Sequence, residues 1–151
     1  METKVIKVLN EARARELKAI MVYMGQHYEL ENQGFGKLAD LLKKSAIEEM
    51  KHAEKLAERI KSLGGIPTTK PQMMSNVAQS IKESIKTDIK IEEEAVDSYN
   101  KSAKICAEEE DFISQDVFLS LLKDEQEHLE NFQNIEQMLE KFGDTYLVTL
   151  T

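Results

Sequence analysis

Apolar residues recur along this chain in alternating steps of four and three, the spacing that lines up one face of a helix. One run passes through Val5, Leu9, Ala12, Ala19, Tyr23 and Leu30, and a second through Leu38, Leu42, Leu56 and Leu63. A third passes through Ile81, Ile85, Ile89, Val96, Tyr99 and Ala103, and a fourth through Phe118, Leu121, Phe132, Ile135 and Leu139. Breakers separate them: Gly34-Phe35-Gly36, then Gly64-Gly65-Ile66-Pro67, then the acidic stretch from Glu108 to Asp111, with Gly143 closing the last run. The pattern predicts an all-α protein of four long helices over residues 4–33, 36–64, 80–107 and 112–141. Ser80-Ile81-Lys82-Glu83 has the form of a capping box and starts the third helix, with Ser75 as a competing start.

The connection over residues 65–79 is long for a bundle, where about 2–8 residues is usual. If Glu49 and Glu92 share one layer and the second and third helices run parallel, the connection must cover about 40 Å. An extended chain of that length reaches about 50 Å, so a full crossover is possible, and an antiparallel start fits as well. The segment from Thr145 to Leu150 is apolar and β-branched, and the pattern gives it no place. We therefore divide the chain into a helical domain, residues 1–144, and a short apolar tail, residues 145–151.

The apolar seams are interrupted where Leu or Ile belongs. Glu16, Glu49, Glu92 and Glu125 each occupy a seam position, and His52 and His128 follow one turn after Glu49 and Glu125. A carboxylate buried without a partner is strongly unfavourable, and the sequence supplies little positive charge for these four: Arg13 and Arg15 flank Glu16 but fall off its seam. The spacing is regular. Glu16 to Glu49 and Glu92 to Glu125 are each 33 residues. Glu16 to Glu92, Glu49 to Glu125, His52 to His128 and Tyr23 to Tyr99 are each 76. The chain is thus a helical hairpin duplicated with its polar positions intact.

Two glutamates and two Glu-x-x-His motifs, one set per helix and all facing inward, form a di-metal carboxylate site in a four-helix bundle. Carboxylates are hard oxygen donors that bridge cations, and imidazole suits Fe, Zn or Mn. A single Glu-x-x-His among glutamates as dense as Glu48, Glu93, Glu94 and Glu127 would be an ordinary solvated face. Two copies in register, with two more seam glutamates at a matching offset, are not. Tyr23 and Tyr99 read as core aromatics whose hydroxyls could hydrogen-bond a ligand carboxylate, and of the two we select Tyr23. His27 lies beside the seam without a duplicate and reads as a surface or interface residue.

Composition narrows the classes. The 151 residues carry a net charge of −8, which argues against nucleic acid as partner. The single cysteine, Cys106, excludes an internal disulfide and any four-cysteine metal site. Met1-Glu2-Thr3-Lys4 has no apolar run of the signal-peptide kind, and the stretch Ala19 to Met24 is far short of a membrane span. The expectation is a cytoplasmic protein.

Glu16-Leu17-Lys18-Ala19-Ile20 with Tyr23, Glu49-Met50-Lys51-His52-Ala53-Glu54-Lys55, Asp88 with Glu92, and Ser114 through Asp124-Glu125 to His128 resemble the ferritin superfamily, and the bacterioferritins within it most closely. The resemblance covers about residues 5–141. It implies a ferritin-like four-helix bundle with a long left-handed crossover. It implies two Fe ions per subunit, with Glu16 and Glu92 as terminal ligands, Glu49 and Glu125 as bridges, and His52 and His128 as one nitrogen ligand each. The implied activity is ferroxidase: Fe²⁺ is oxidised to Fe³⁺ by O₂ or H₂O₂, and mineral is stored in a hollow homo-oligomeric shell of 24 subunits. Met50 lies about 100° round the helix from Glu49, outside the bundle. The resemblance makes it a haem axial ligand across a two-fold dimer interface, and its bland reading is an ordinary interface methionine. The family's short fifth helix is matched only by Phe142 to Leu147, so shell assembly is expected to rest on the tail. Rival readings are a rubrerythrin-like di-iron peroxidase, whose usual four-cysteine module one cysteine excludes, and a non-catalytic metal-binding bundle.

Overall fold

The computed structural model describes residues 2–73 and 79–151, so the alternative helix start at Ser75 lies outside the described residues. Its helices are α1 (Lys4–Asn32), α2 (Gly36–Ser62), α3 (Ile81–Glu108), α4 (Phe112–Phe142) and a short α5 (Asp144–Val148). Polar caps start three of them. The side chains of Thr3, Ser80 and Asp111 accept hydrogen bonds from the backbone N–H of Ile6, Glu83 and Ser114. Gly34 leaves α1 at φ +88°, a left-handed conformation that glycine adopts without strain.

Helices α1 and α2 form one hairpin, and α3 and α4 a second. Between the hairpins Tyr99 reaches Glu16 and Tyr23 reaches Glu92, so α1 and α3 run antiparallel, and α3 runs parallel to α2. The connection is accordingly a crossover, and the antiparallel alternative is excluded. Side chains of α1 hold its first part down. Asn10 Nδ2 donates to the Ile66 carbonyl (3.0 Å) and its Oδ1 accepts from Thr68 N–H (2.8 Å). Arg13 donates to the carbonyls of Thr68 and Ala53 (2.8 and 2.5 Å), and Gln72 N–H donates to the Ala14 carbonyl (3.0 Å). At Gly65 a Cβ would stand 2.9 Å from Ile60 Cγ2 and 3.1 Å from Ile6 Cγ2, so only glycine lets the strap turn this close to the bundle.

The core is divided in two. Leu9, Leu56, Ile60, Tyr99 and Phe118 centre one apolar cluster. Tyr23, Leu42, Ile85, Phe132 and Ile135 centre the other. Glu16, Glu49, Glu92 and Glu125, none more than 1% exposed, occupy the layer between them. No helix among the described residues is long and apolar enough to cross a membrane.

Two expectations change. His27 is buried, not on the surface: its Nδ1–H donates to the Ala39 carbonyl (2.7 Å), which ties α1 to α2, and its Nε2 lies 3.0 Å from Glu31 one turn on in α1. The tail also finds a place on its own subunit. After α5 the Leu150 carbonyl accepts hydrogen bonds from Lys37 N–H (3.0 Å) and Leu38 N–H (3.3 Å). These are orphan donors at the start of α2, where Phe35 supplies no side-chain cap. Tyr146 and Leu150 pack against the neighbouring apolar cluster. Of the apolar tail residues offered as assembly contacts, Leu147 and Leu150 are half-buried here and Val148 is exposed. Removal of residues 145–151 should lower the unfolding free energy by about 1–3 kcal/mol, from two lost hydrogen bonds and partial apolar exposure, with helix content otherwise kept. Urea denaturation followed by circular dichroism measures it.

Candidate metal centre

Each helix contributes to the polar layer at its own mid-point. Glu16 comes from α1, Glu49 and His52 from α2, Glu92 from α3, and Glu125 and His128 from α4. All six residues predicted to face inward do so, and all are buried. They fall into two groups whose candidate ligand atoms lie within 4.8 Å of one another: Glu16, Glu49, His52 and Glu125, and Glu49, Glu92, Glu125 and His128. Glu49 and Glu125 belong to both. His52 Nδ1 stands 3.0 Å from Glu125 Oε1 and 3.6 Å from Glu16 Oε1. His128 Nδ1 stands 3.1 Å from Glu49 Oε1 and 3.6 Å from Glu92 Oε1.

The atoms crowd together without pairing off. Glu16 Oε2, Glu49 Oε1, Glu92 Oε2, both Glu125 oxygens and both imidazole Nδ1 atoms are buried with no hydrogen-bond partner. Orphaned donors and acceptors of this kind are rare in a native core. Seven of them, from six residues, converging on two centres fit a pair of cations in donor set and in number.

Outer contacts set the geometry. The His52 Nε2–H donates to Asp124 (2.9 Å), and the His128 Nε2–H donates to Glu48, so each ring turns its Nδ1 inward. Tyr99 hydroxyl donates to Glu16 Oε1 (2.6 Å) and Tyr23 hydroxyl to Glu92 Oε1 (2.5 Å). The choice of Tyr23 over Tyr99 therefore falls: the duplicated tyrosines act alike. Asp124 and Glu48 were missed by sequence reasoning, though a signal was available. Each immediately precedes a motif glutamate, and the two are 76 residues apart. Met50 is 52% exposed and takes no part in the layer. Asp88, one turn before Glu92, is fully buried with neither oxygen partnered, and burial holds its carboxyl well above the usual range.

Burial pushes Glu49 and Glu125 upward, and the neighbouring charge of Glu16 adds to both shifts. Burial would raise Glu16 too, but the close approach of Glu49 and His52 and the hydrogen bond from Tyr99 bring it below the ordinary value. For the histidines burial opposes charge, yet the surrounding carboxylates win. His52 rises to about 11 through Glu125 and Glu16, and His128 to about 9 through Glu92.

Four helices with two Glu and two Glu-x-x-His in one buried layer define a class: the di-metal carboxylate bundles. A sequence-family model described as a ferritin-like domain matches residues 6–142, and this chain belongs to that family. It is 41% identical over 149 residues to a bacterioferritin of Desulfovibrio desulfuricans, covering 99% of this chain and 83% of that protein. It is 37% identical over 144 residues to a bacterioferritin of Brucella melitensis, covering 95% and 89%. The X-ray structure of the Desulfovibrio desulfuricans bacterioferritin, determined with its diiron site in different catalytic states, superposes with a TM-score of 0.96 at 41% identity, covering 98% of this chain and 86% of that one.

Without metal, the layer makes stability depend on pH. His52 and His128 are raised above 6.5 in the fold, so their contribution is complete below pH 6.5 and is lost as pH rises through about 9 for His128 and about 11 for His52. Glu49 and Glu125 are also raised, and their contribution is lost as pH rises above 4.5. The melting temperature of the metal-free chain should therefore fall as pH increases from about 6 to 9. Loading divalent ions at neutral pH should release protons, from these same groups. Scanning calorimetry and a pH-stat titration check the two outcomes.

Proposed function

We propose that this chain is a di-iron ferroxidase that oxidises Fe²⁺ to Fe³⁺ and stores or detoxifies the product. One observation carries the reading: two buried ligand groups that share Glu49 and Glu125. In this reading Glu49 and Glu125, which belong to both groups, would hold both irons, Glu16 and Glu92 would each hold one as terminal ligands, and His52 and His128 would each offer Nδ1. With Fe²⁺ as substrate, the two ions would give up one electron each, and the electron pair with two protons from solvent would convert O₂ to H₂O₂, or H₂O₂ to two waters. The protein holds the ligands in place. Asp124 and Glu48 fix the imidazoles, and Tyr99 and Tyr23 fix Glu16 and Glu92. The apolar clusters on either side keep bulk water from the layer. The similarity to a bacterioferritin with a diiron site supports iron over zinc or manganese.

The reading extends to assembly. We place the protein in the cytoplasm as a homo-oligomer, at least a dimer, whose larger form is a 24-subunit shell. Residues 1–144 are its di-iron domain and 145–151 its tail. Met50 is proposed as a haem axial ligand on a two-fold dimer axis. Its support is position: Met50 and Ile47 stand exposed one turn apart on α2, with Met21 and Tyr28 exposed on α1. The rubrerythrin-like reading keeps the same site but uses H₂O₂ without storage.

Purified protein should bind two Fe²⁺ per subunit and oxidise them faster than buffer does. Glu49→Gln or Glu125→Gln should cost at least the factor of about 10–100 seen when an outer partner of a metal ligand is lost, and Asp124→Asn about that factor itself. Stopped-flow oxidation at matched Fe²⁺ measures both, and fewer than one Fe²⁺ per subunit would remove the enzyme reading. Met50→Leu keeps volume and should abolish the Soret band of protein made with haem precursor supplied. Sedimentation of the iron-loaded protein separates a storage shell from a dimeric oxidase.

A further inference from the structure

The 76-residue duplication fails at one buried position. On α1, Ala12 stands one turn before Glu16; on α3 the equivalent residue, one turn before Glu92, is Asp88. Both lie in the core, and Asp88 is fully buried. Neither of its oxygens has a hydrogen-bond partner, and the same holds for the buried Oε1 of Gln26 on α1. The six-group layer makes no use of this acid. A small apolar residue would take its place without the cost of burying a polar group, as Ala12 does in the other half.

The surroundings of Asp88 define what it can do. Burial holds its carboxyl well above the usual range; the Gln26 side chain works against that shift, and the charge of Glu92 adds to it. A neutral carboxyl carries a proton, and Gln26 Oε1 is an acceptor for it. Tyr23 adjoins both acids. Its hydroxyl donates to Glu92 Oε1 (2.5 Å), and the charges of Glu92 and Asp88 add to the rise that burial causes in its pKa. Gln26 also borders the surface groove between α1 and α3, so solvent lies beyond its amide. In the other half Tyr99 donates to Glu16 Oε1 (2.6 Å) and to the Ala12 carbonyl (3.3 Å), and a backbone oxygen stands where this half has an acid.

We propose that Asp88 supplies a proton to the oxidation at the paired site, by way of Tyr23, and stays behind as a carboxylate that balances part of the charge left there. The proposal rests on the ferroxidase reading above. Two divalent ions balance four carboxylates. Oxidation of both to Fe³⁺ adds two positive charges to a core that holds unpaired charge only at high cost. The electron pair they give up needs two protons to convert O₂ to H₂O₂. One comes from Asp88: its O–H bond breaks as Tyr23 takes the proton and passes its own to the oxygen being reduced on the Glu92 side. The Asp88 carboxylate then cancels one of the two added charges. The second proton comes from solvent. When the ferric ions leave, Asp88 recovers its proton from solvent beyond Gln26. The two halves of the site, alike in their six groups, are therefore unequal in proton supply.

Infrared difference spectra of the whole chain test the charge step without turnover, with Zn²⁺ and then the redox-inert Ga³⁺ in the layer. In the Zn²⁺ form the layer glutamates are ionised ligands. A protonated-carboxyl band that separates wild type from Asp88→Asn therefore belongs to Asp88. It should be present with Zn²⁺ and lost with Ga³⁺. Stopped-flow oxidation of Fe²⁺ by O₂ tests the proton step. Asp88→Asn keeps shape and polarity and should be slower by about a hundredfold, the scale on which a positioned proton donor acts. Its rate should also fall as pH rises through neutrality, because solvent must then supply both protons, while the wild-type rate changes little. Zn²⁺ bound per subunit and melting temperature should match wild type. Asp88→Leu takes the place of Asp88→Asn if circular dichroism shows the latter misfolded. A wild-type rate and pH profile in the folded variant overturn the proposal, as does a carboxyl band absent with Zn²⁺ or kept with Ga³⁺. A loss of Zn²⁺ binding that accounts for the slower oxidation would make Asp88 a structural residue and overturn it too. Wild type that binds Zn²⁺ but does not speed Fe²⁺ oxidation would instead overturn the ferroxidase reading, and the proton supply with it.

Discussion

Four carboxylates and two imidazoles share one layer in the middle of an apolar bundle, and much of the remaining structure answers to their charge. If all four glutamates ionise, two imidazolium ions leave two negative charges over. Such a remainder cannot stay in a low-dielectric core. Without metal, protons supply the balance, which is why burial pushes Glu49 and Glu125 up and why both histidines hold their protons. With two divalent ions the balance is reached with neutral imidazoles and four carboxylates. Protons and metals therefore compete for the same places.

That constraint reaches outward through pairs. Each imidazole must present Nδ1 to the centre, so each needs an acceptor on its far side, and Asp124 and Glu48 fill that need at equivalent positions of the two hairpins. Each terminal glutamate needs one oxygen held, and Tyr99 and Tyr23 reach across from the opposite hairpin to do it. These cross-hairpin bonds fix the register of α1 against α3, which in turn requires that α3 start at the far end of α2. The long strap over α1, with its anchors at Asn10, Arg13 and Ala14, follows from that register.

The helices, the duplication and the six inward groups were legible because each rests on periodicity or exact spacing. A seam position filled by Glu16, Glu49, Glu92 or Glu125 cannot be an ordinary surface site, and a repeat of 76 residues cannot be read as chance. The direction of α3 was not legible, since a linker of that length permits either choice; only the tyrosine contacts decide it. Asp124 and Glu48 were hidden among many exposed acids, where nothing in composition separates a partner from a solvated charge. His27 was misjudged because its burial depends on a backbone acceptor, the Ala39 carbonyl, which has no side-chain signature. The tail escaped for the same reason: Leu150 caps α2 through its main-chain oxygen.

A layer of this kind contributes little to folding by itself, because desolvation of the charges offsets their mutual attraction. Stability must come from the apolar clusters above and below, and the duplication provides one at each end of the bundle. Placing the polar layer between them lets each cluster close its own end: Arg59 with Asp111 and Ser114 at one, and the Leu150 cap at the other. The middle is then free to be optimised for cations and not for packing.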